Sequence, residues 1–515
     1  MIKTLLSTLA LSTMLISAAS AQSLTVGVQN LPPWLDPGKD FGNNGSQIYY
    51  NTFDPLILKD YSQPGAVFKP GLATAWESLS PTEFQVTLRE GVKFQNGDLM
   101  TADDVVFSFE RILQDMTPEY AGIHRQFFDN FASVEKIDEA TIKFTTNKPE
   151  PLFEILLNTS EASIVPKAYI AGLSGDAVAI DPSDFDAFML KPVGTGPYAI
   201  SSFQPGENLV WRRFDGYWGD KAALEEVTLR RIPELATRVT ALANGEVDFI
   251  TNVPPDQLAT IGGNPALKVV GNVTPLFHII FFNTRNPSMS NPKLRQALSM
   301  GIDRNLLNEA LWGNEAKVPN THSYAQYGEL NDTESQTFEY NPEKAKELLA
   351  EAGYDGSTIR FDTDPVYYTN GLLAAQAIQE MWAEIGVKAE INVTTKWTGP
   401  DADMQVRNWS NPMYFADPAG SFGTMWSPKG SGTEMAWTPN EAYPALWDKF
   451  RYSTDIAVRK EAYGEIMAYV KEEMPFVVLY QPYESYGMRQ GVTWAPQPGH
   501  IPYVLDFRAG SVTVE

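Results

Sequence analysis

Between Gly71 and Arg111 the pattern of apolar and polar positions first runs with a period of two and then changes. Phe84, Val86 and Leu88 are apolar, while Gln85, Thr87 and Arg89 beside them are polar, as in a strand with one buried face. Gly91 and Asn96-Gly97 mark turns, the second flanked by extended residues in hairpin fashion. Thr101 stands three residues before Asp104 and ahead of an apolar run, so it caps a helix carried by Val105, Phe109 and Ile112. The unit predicted is strand, turn, strand, capped helix.

The rest of the chain alternates between strand and helix without internal repeats or long low-complexity segments. Leu24, Val26 and Val28 form a first strand, and the Pro and Gly residues from Pro32 to Gly45 form a loop before Ile48. Between Val227 and Ile250 a strand, a helix through Leu235, Val239 and Leu242, an Asn244-Gly245 stop and a second strand make a βαβ unit. Such units imply a mostly parallel sheet covered on both faces, with ligands at the carboxyl ends of its strands. Asn291 and Asn341 each precede a proline suited to the first turn of a helix, and Gly353 suits the end of the second of these helices.

The first residues form a short positive region at Lys3, an apolar stretch from Leu5 to Ile16, and Ala19-Ser20-Ala21 with small residues at the cleavage positions. They are expected to be a secretory signal peptide cut after Ala21, since the apolar stretch falls short of the roughly 20 residues that span a bilayer. With no cysteine in the chain, a lipid anchor on a new N-terminal cysteine is excluded and no disulfide supports the fold. The expected product is freely soluble, in the periplasm. Its length allows about three compact units at roughly 150 residues each. A net charge of −24 disfavours nucleic acid and anionic lipid as partners, and also serves solubility.

Catalytic and metal signatures are weak. The histidines, His124, His278, His322 and His500, are scattered, and there is no HExxH, GxSxG or phosphate-binding glycine loop. Four isolated histidines without cysteine offer no metal-ligand spacing, so neither a metal site nor a cofactor is expected. Acid pairs such as Asp103-Asp104 and Glu225-Glu226 would be the only basis for a secreted hydrolase; acidic surfaces produce such pairs by chance, and Asp104 already caps a helix. Binding is the remaining class, and it needs an aromatic, partly apolar cavity. Tyr367, Tyr368, Trp397, Trp409, Tyr414, Phe415, Phe422, Trp426 and Trp437 are candidates, each of which could equally be core. Their density between 397 and 437, with Gly and Pro and little helical periodicity, favours a lined pocket, whereas Trp382 lies on the apolar face of a helix and is assigned to the core.

The segments LATAWE, LREGVKFQNGD and TADDVVFSFER resemble the signature of the extracytoplasmic solute-binding proteins of the peptide and nickel family, which serve ABC importers. KPVGTGPYAI, FDGYWG, NPKLRQALSMGIDR and NPEKAKELLAEAGY are similar to later segments of that family, in its order. The resemblance implies an α/β fold, a two-lobed periplasmic binding protein of type II-like, Venus-flytrap form with an inserted α+β subdomain. The first lobe would comprise 22–60, 190–282 and 486–515, the insert 61–189, and the second lobe 283–485, with hinges near Phe282-Asn283 and Tyr483-Glu484. It also implies a monomer that closes on a peptide or peptide-like solute and presents it to a membrane permease, without altering it. An opine, an oligosaccharide or another organic molecule is the alternative cargo.

The dipeptide- and oligopeptide-binding branches carry a W-x-x-D-x-x-D/E-P motif whose aspartate holds the peptide ammonium. Here Trp409 to Pro418 is longer by two residues, and Pro412 stands in place of that acid. Asp417 matches the later acid and would either replace it or serve as a turn residue before Pro418. The dipeptide branch also has a carboxylate-binding arginine where this chain has Tyr368, in PVYY. Both marks of a zwitterionic dipeptide are missing, which implies a ligand that is longer, modified or not a peptide. Arg407 is a candidate carboxylate partner or an ordinary edge arginine. Asn43, Asn44 and Gly45 lie where the family's first lobe offers backbone groups to ligand, or form a plain turn.

Overall fold

The computed structural model describes residues 23–38, 43–60, 67–113, 127–173, 182–365, 367–394, 399, 401, 403–497 and 503–514. The signal-peptide reading, Trp397, His124 and His500 lie outside them.

Two mixed sheets form the two lobes, as the resemblance implied. In the first, the strand Ser23–Val28 lies between Glu226–Arg231 and Phe249–Ile250 and runs parallel to both. The helix Leu235–Ala243 connects those two flanking strands, so the expected βαβ unit is present with the N-terminal strand inserted in its middle. Antiparallel strands extend the sheet on either side, Asn208–Arg213 and Tyr198–Gln204 at one edge, Tyr483–Arg489 and Leu267–Val273 at the other. The sheet is therefore only centrally parallel, a departure from the mostly parallel sheet that the βαβ pattern suggested.

The second lobe's sheet has the order Ala389–Val393, Ile359–Thr363, Val406–Pro412, Leu276–Phe282, Phe476–Tyr480. Its strand Leu276–Phe282, LFHIIFF, is buried along its whole length between two antiparallel partners. That placement corrects the expected boundaries, which put residues 276–282 in the first lobe. The chain passes between sheets at Thr274-Pro275 and returns at Gln481-Pro482, not at Phe282-Asn283 and Tyr483-Glu484. The crossings are tied to each other, Thr274 N donating to Pro482 O at 3.0 Å and Gln481 Nε2 to Thr274 O at 3.4 Å.

The insert carries an antiparallel sheet, Ala73–Ser80, Glu83–Leu88, Thr141–Thr146 and Phe131–Lys136. Glu83–Leu88 shows the predicted alternation of buried and half-buried positions. The helix Ala102–Leu113 starts with the predicted reciprocal cap: Thr101 N and Oγ1 donate to Asp104 Oδ2 at 2.8 and 2.7 Å, and Asp104 N donates to Thr101 Oγ1 at 3.3 Å. Phe109 then meets Phe144 of the sheet edge-on, at 4.9 Å. The insert shares the first lobe's core, because Phe107, Ile170 and Phe185 pack in one cluster with Tyr49, Phe53 and Trp211. Gly196 of the Gly-Thr-Gly-Pro run lies against the end of the helix Asn43–Thr52; a Cβ there would sit 2.7 Å from Thr52 O, so the glycine serves a close backbone approach.

Candidate ligand-binding cleft

A cavity of about 660 Å³ opens between the lobes, with Gln29, Arg238 and Asn252 on the first-lobe wall and Leu311, Tyr368 and Asn370 on the second. Sites for organic solutes are concave, of this size, and lie preferentially between domains. Tyr368 of the lining is next to Tyr367, with ring centroids 5.3 Å apart. Tyr367 stacks on Trp409 with centroids 4.8 Å apart and donates or accepts a 2.7 Å hydrogen bond with Ser410 Oγ. The Arg407 guanidinium lies 5.1 Å from the Trp409 ring centroid. These residues meet because the central strand Val406–Pro412 runs beside the loop that joins Ile359–Thr363 to the helix Gly371–Glu384. Tyr368 stacks on His278 at 3.7 Å, and its buried hydroxyl has no hydrogen-bond partner among the described residues.

Of the expected ligand residues, Tyr368 thus lines the cavity, and Tyr367, Arg407 and Trp409 cluster next to it. Arg407 is 1% exposed, and burial lowers its pKa while the Asp362 and Asp364 carboxylates oppose that shift. Two acids already offset its charge, which weakens it as a carboxylate receptor. Tyr414 stands apart from this group: it packs against Phe127 of the insert and, with Tyr50, against Val504 of the first lobe, and so closes one side of the interlobe space. Asn43, Asn44 and Gly45 begin a helix and are not the expected loop.

Four candidates belong to the fold: Phe422, Trp426 and Trp437 as core, and Asp417 as the turn residue of its alternative reading. Phe422 and Trp426 are fully buried, Phe422 among His322, Tyr463 and Phe476, and Trp426 stacked on Phe476 at 4.5 Å. Trp437 packs edge-on against Trp426 and Tyr443, so the aromatic density at 422–437 is core. Asp417 is 3% exposed and receives Arg459 Nη2 on both oxygens at 2.9 and 2.8 Å, while Ala419 N donates to Oδ1 at 2.9 Å. Its carboxylate is committed to the fold and cannot take over the role of the missing acid.

The first lobe contributes groups that sequence reasoning did not single out. Glu484 directly follows the second crossing, is 7% exposed, and accepts a 3.0 Å hydrogen bond from Asn252 Nδ2. Burial pushes its carboxyl up to about 8, against the Asn252 hydrogen bond and the Arg238 charge. Tyr503, in the left-handed region with φ 66°, is held neutral chiefly by burial, with Glu484 and Tyr367 adding to the effect. Phenols of both lobes and a proton-bearing carboxyl therefore meet beside the hinge. Burial pushes the imidazoles of His278 and His322 down to about 3 and about 4, which makes both neutral. His322 is bonded to Asn411 at 2.9 Å. Among the described residues no group of three or more His, Asp or Glu is placed to hold a metal ion, and no helix is long and apolar enough to cross a membrane.

A family description, bacterial extracellular solute-binding proteins, family 5, matches residues 67–433. The chain belongs to that family. Heme-binding protein A of Haemophilus influenzae is 29% identical over 484 residues, covering 87% of this chain and 84% of that protein. The periplasmic binding protein DppA of Helicobacter pylori, solved with the peptide STSA, has a TM-score of 0.80 at 25% identity, covering 96% of this chain and 99% of its own. AgaA of A. tumefaciens R10, solved with agropinic acid, has a TM-score of 0.77 at 26% identity, covering 96% and 99%. The family is one of transport proteins that bind solutes outside the cytoplasm. For this solute-binding protein, the cavity between the two lobes is the place where a solute would be enclosed.

Proposed function

We propose that this protein is the periplasmic component of an ABC importer and encloses a peptide or peptide-like organic solute between its lobes. The observation that carries the reading is the interlobe cavity, lined from both lobes and reached by Tyr368, with the stacked Tyr367 and Trp409 beside it. A zwitterionic dipeptide is disfavoured. Pro412 stands in place of the ammonium-binding acid, Asp417 is consumed by Arg459, and Tyr368 replaces the arginine that would hold a carboxylate. The stacked Tyr367 and Trp409 suit a flat or ring-bearing group. This favours a longer or modified peptide, and the relative solved with agropinic acid gives the opine reading its support. Export by a signal peptide cut after Ala21, action as a monomer and release of the cargo unaltered belong to the same proposal.

Native mass spectrometry of the protein purified from the periplasm would identify retained cargo. A thermal-shift panel of free dipeptides, N-blocked and longer peptides, opines and oligosaccharides would then rank the classes. Longer or N-blocked peptides, or opines, are expected to raise the melting temperature more than free dipeptides do, without turnover. Strongest stabilisation by free dipeptides would overturn the ligand reading, and hydrolysis of any panel member would overturn the binder.

A further inference from the structure

Glu150 of the insert and Arg451 of the second lobe form a buried, two-pronged ion pair 301 residues apart in sequence, with Nη1 to Oε1 at 2.6 Å and Nη2 to Oε2 at 2.8 Å. Glu150 is further held by Asn130 Nδ2 and Leu152 N, each at 3.0 Å. Around the pair, Lys148 meets Asp448 at 2.6 Å and Phe127 lies edge-on to Phe415 at 5.1 Å. The Glu150–Arg451, Lys148–Asp448 and Phe127–Phe415 contacts join the insert to the second lobe.

The insert is fastened to the first lobe by different means. Gln95 Nε2 donates to Thr52 O and Tyr198 O at 2.8 Å, Arg111 pairs with buried Asp36, and Phe107 and Phe185 lie in the first lobe's core. The covalent path between lobes consists of the two adjoining crossings at Thr274-Pro275 and Gln481-Pro482. A rotation about them that carries the insert with the first lobe would separate Glu150 from Arg451. We infer that this pair is an interlobe latch: it holds the enclosed form together outside the ligand cavity, and so sets affinity through the closed population and not by touching cargo.

This rests on the reading of the protein as a closing binder, but its test needs no cargo. Because the chain has no cysteine, K148C/D448C supplies the only thiols, at two exposed positions whose side chains face each other across the shut seam, where a short bis-maleimide can bridge them. The rate of bis-maleimide crosslinking in the unliganded protein is expected to fall at least roughly tenfold when E150Q or R451M is added, as loss of one partner of a buried charge pair implies. R451K, which keeps the charge but loses the fork, should give a smaller fall and guards against misfolding of the harsher variants. Spin labels at E139C and E343C, both exposed, should move to longer separations in the same backgrounds. An unchanged rate and separation, with only a lowered melting temperature, would show a static seam and overturn the latch. Failure of the ligand panel would leave this result intact, and the reverse also holds.

Discussion

Replacing Glu484 by Gln tests the unusual acid beside the hinge. The carboxyl is buried with one neutral hydrogen-bond donor on it, and its midpoint moves from 4.5 to about 8 on folding. The folded protein therefore keeps a proton that the unfolded chain has already lost, so stability falls as pH rises from about 4.5 to 8 and levels off above. The displacement corresponds to about 4–5 kcal/mol at full effect, with about 1 kcal/mol already lost at pH 5. Glutamine keeps an oxygen for Asn252 and has no charge to bury, so E484Q should gain about 4 kcal/mol on wild type between pH 5 and pH 9. Denaturant unfolding of both proteins at several pH values, read as the difference between them, cancels every other titrating group. A difference that does not change with pH would refute the reasoning, because it would mean that Glu484 ionises in the folded protein much as it does in the unfolded chain.

Substituting Asp417 by Ala leaves Arg459 buried without its partner and should cost about 3–5 kcal/mol of stability, seen by denaturant unfolding. The affinity for the cargo found by mass spectrometry should stay within about threefold, since 1.4 kcal/mol is tenfold and no direct contact is lost. W426A removes a ring stacked inside the second lobe's core and should cost about 3–5 kcal/mol in the same assay. W409A should do the opposite, weakening cargo binding while lowering the stability of the unliganded protein by less than W426A does. G196A forces a methyl group against Thr52 O and should lower the melting temperature through displacement of the helix Asn43–Thr52, which circular dichroism melting would register.

Local order was readable from the residues because its causes are local. The Thr101 cap, the alternation at Glu83–Leu88 and the helix starts at Asn291 and Asn341 each depend on groups a few positions apart, and all four appear as expected. The lobe boundary was not readable. A largely apolar strand such as Leu276–Phe282 announces that it is buried on both faces, but pairing with Val406–Pro412 and Phe476–Tyr480 decides in which sheet, and those partners lie more than a hundred residues away.

The same limit governs the site. An aromatic residue reads alike whether its ring faces a cleft or a core, so 397–437 looked like one lining although Trp409 and Trp426 have opposite fates. Trp409 meets Tyr367 and Arg407 at the lobe surface, while Trp426 is claimed by Phe476, a strand residue with no sequence cue linking the two. Asp417 shows how a motif match misleads for a physical reason. Its position ahead of Pro418 fits the later acid of the peptide-binding motif, but Arg459, one turn into the helix Ile456–Glu473, reaches it and spends both carboxylate oxygens. A ligand ammonium would have to displace a buried guanidinium to bind there, and the arginine would then lack a counter-charge. A cargo that brings no ammonium to this position avoids that cost. For this reason the departures at Pro412 and Tyr368 and the commitment of Asp417 support the proposal of a solute unlike a free dipeptide.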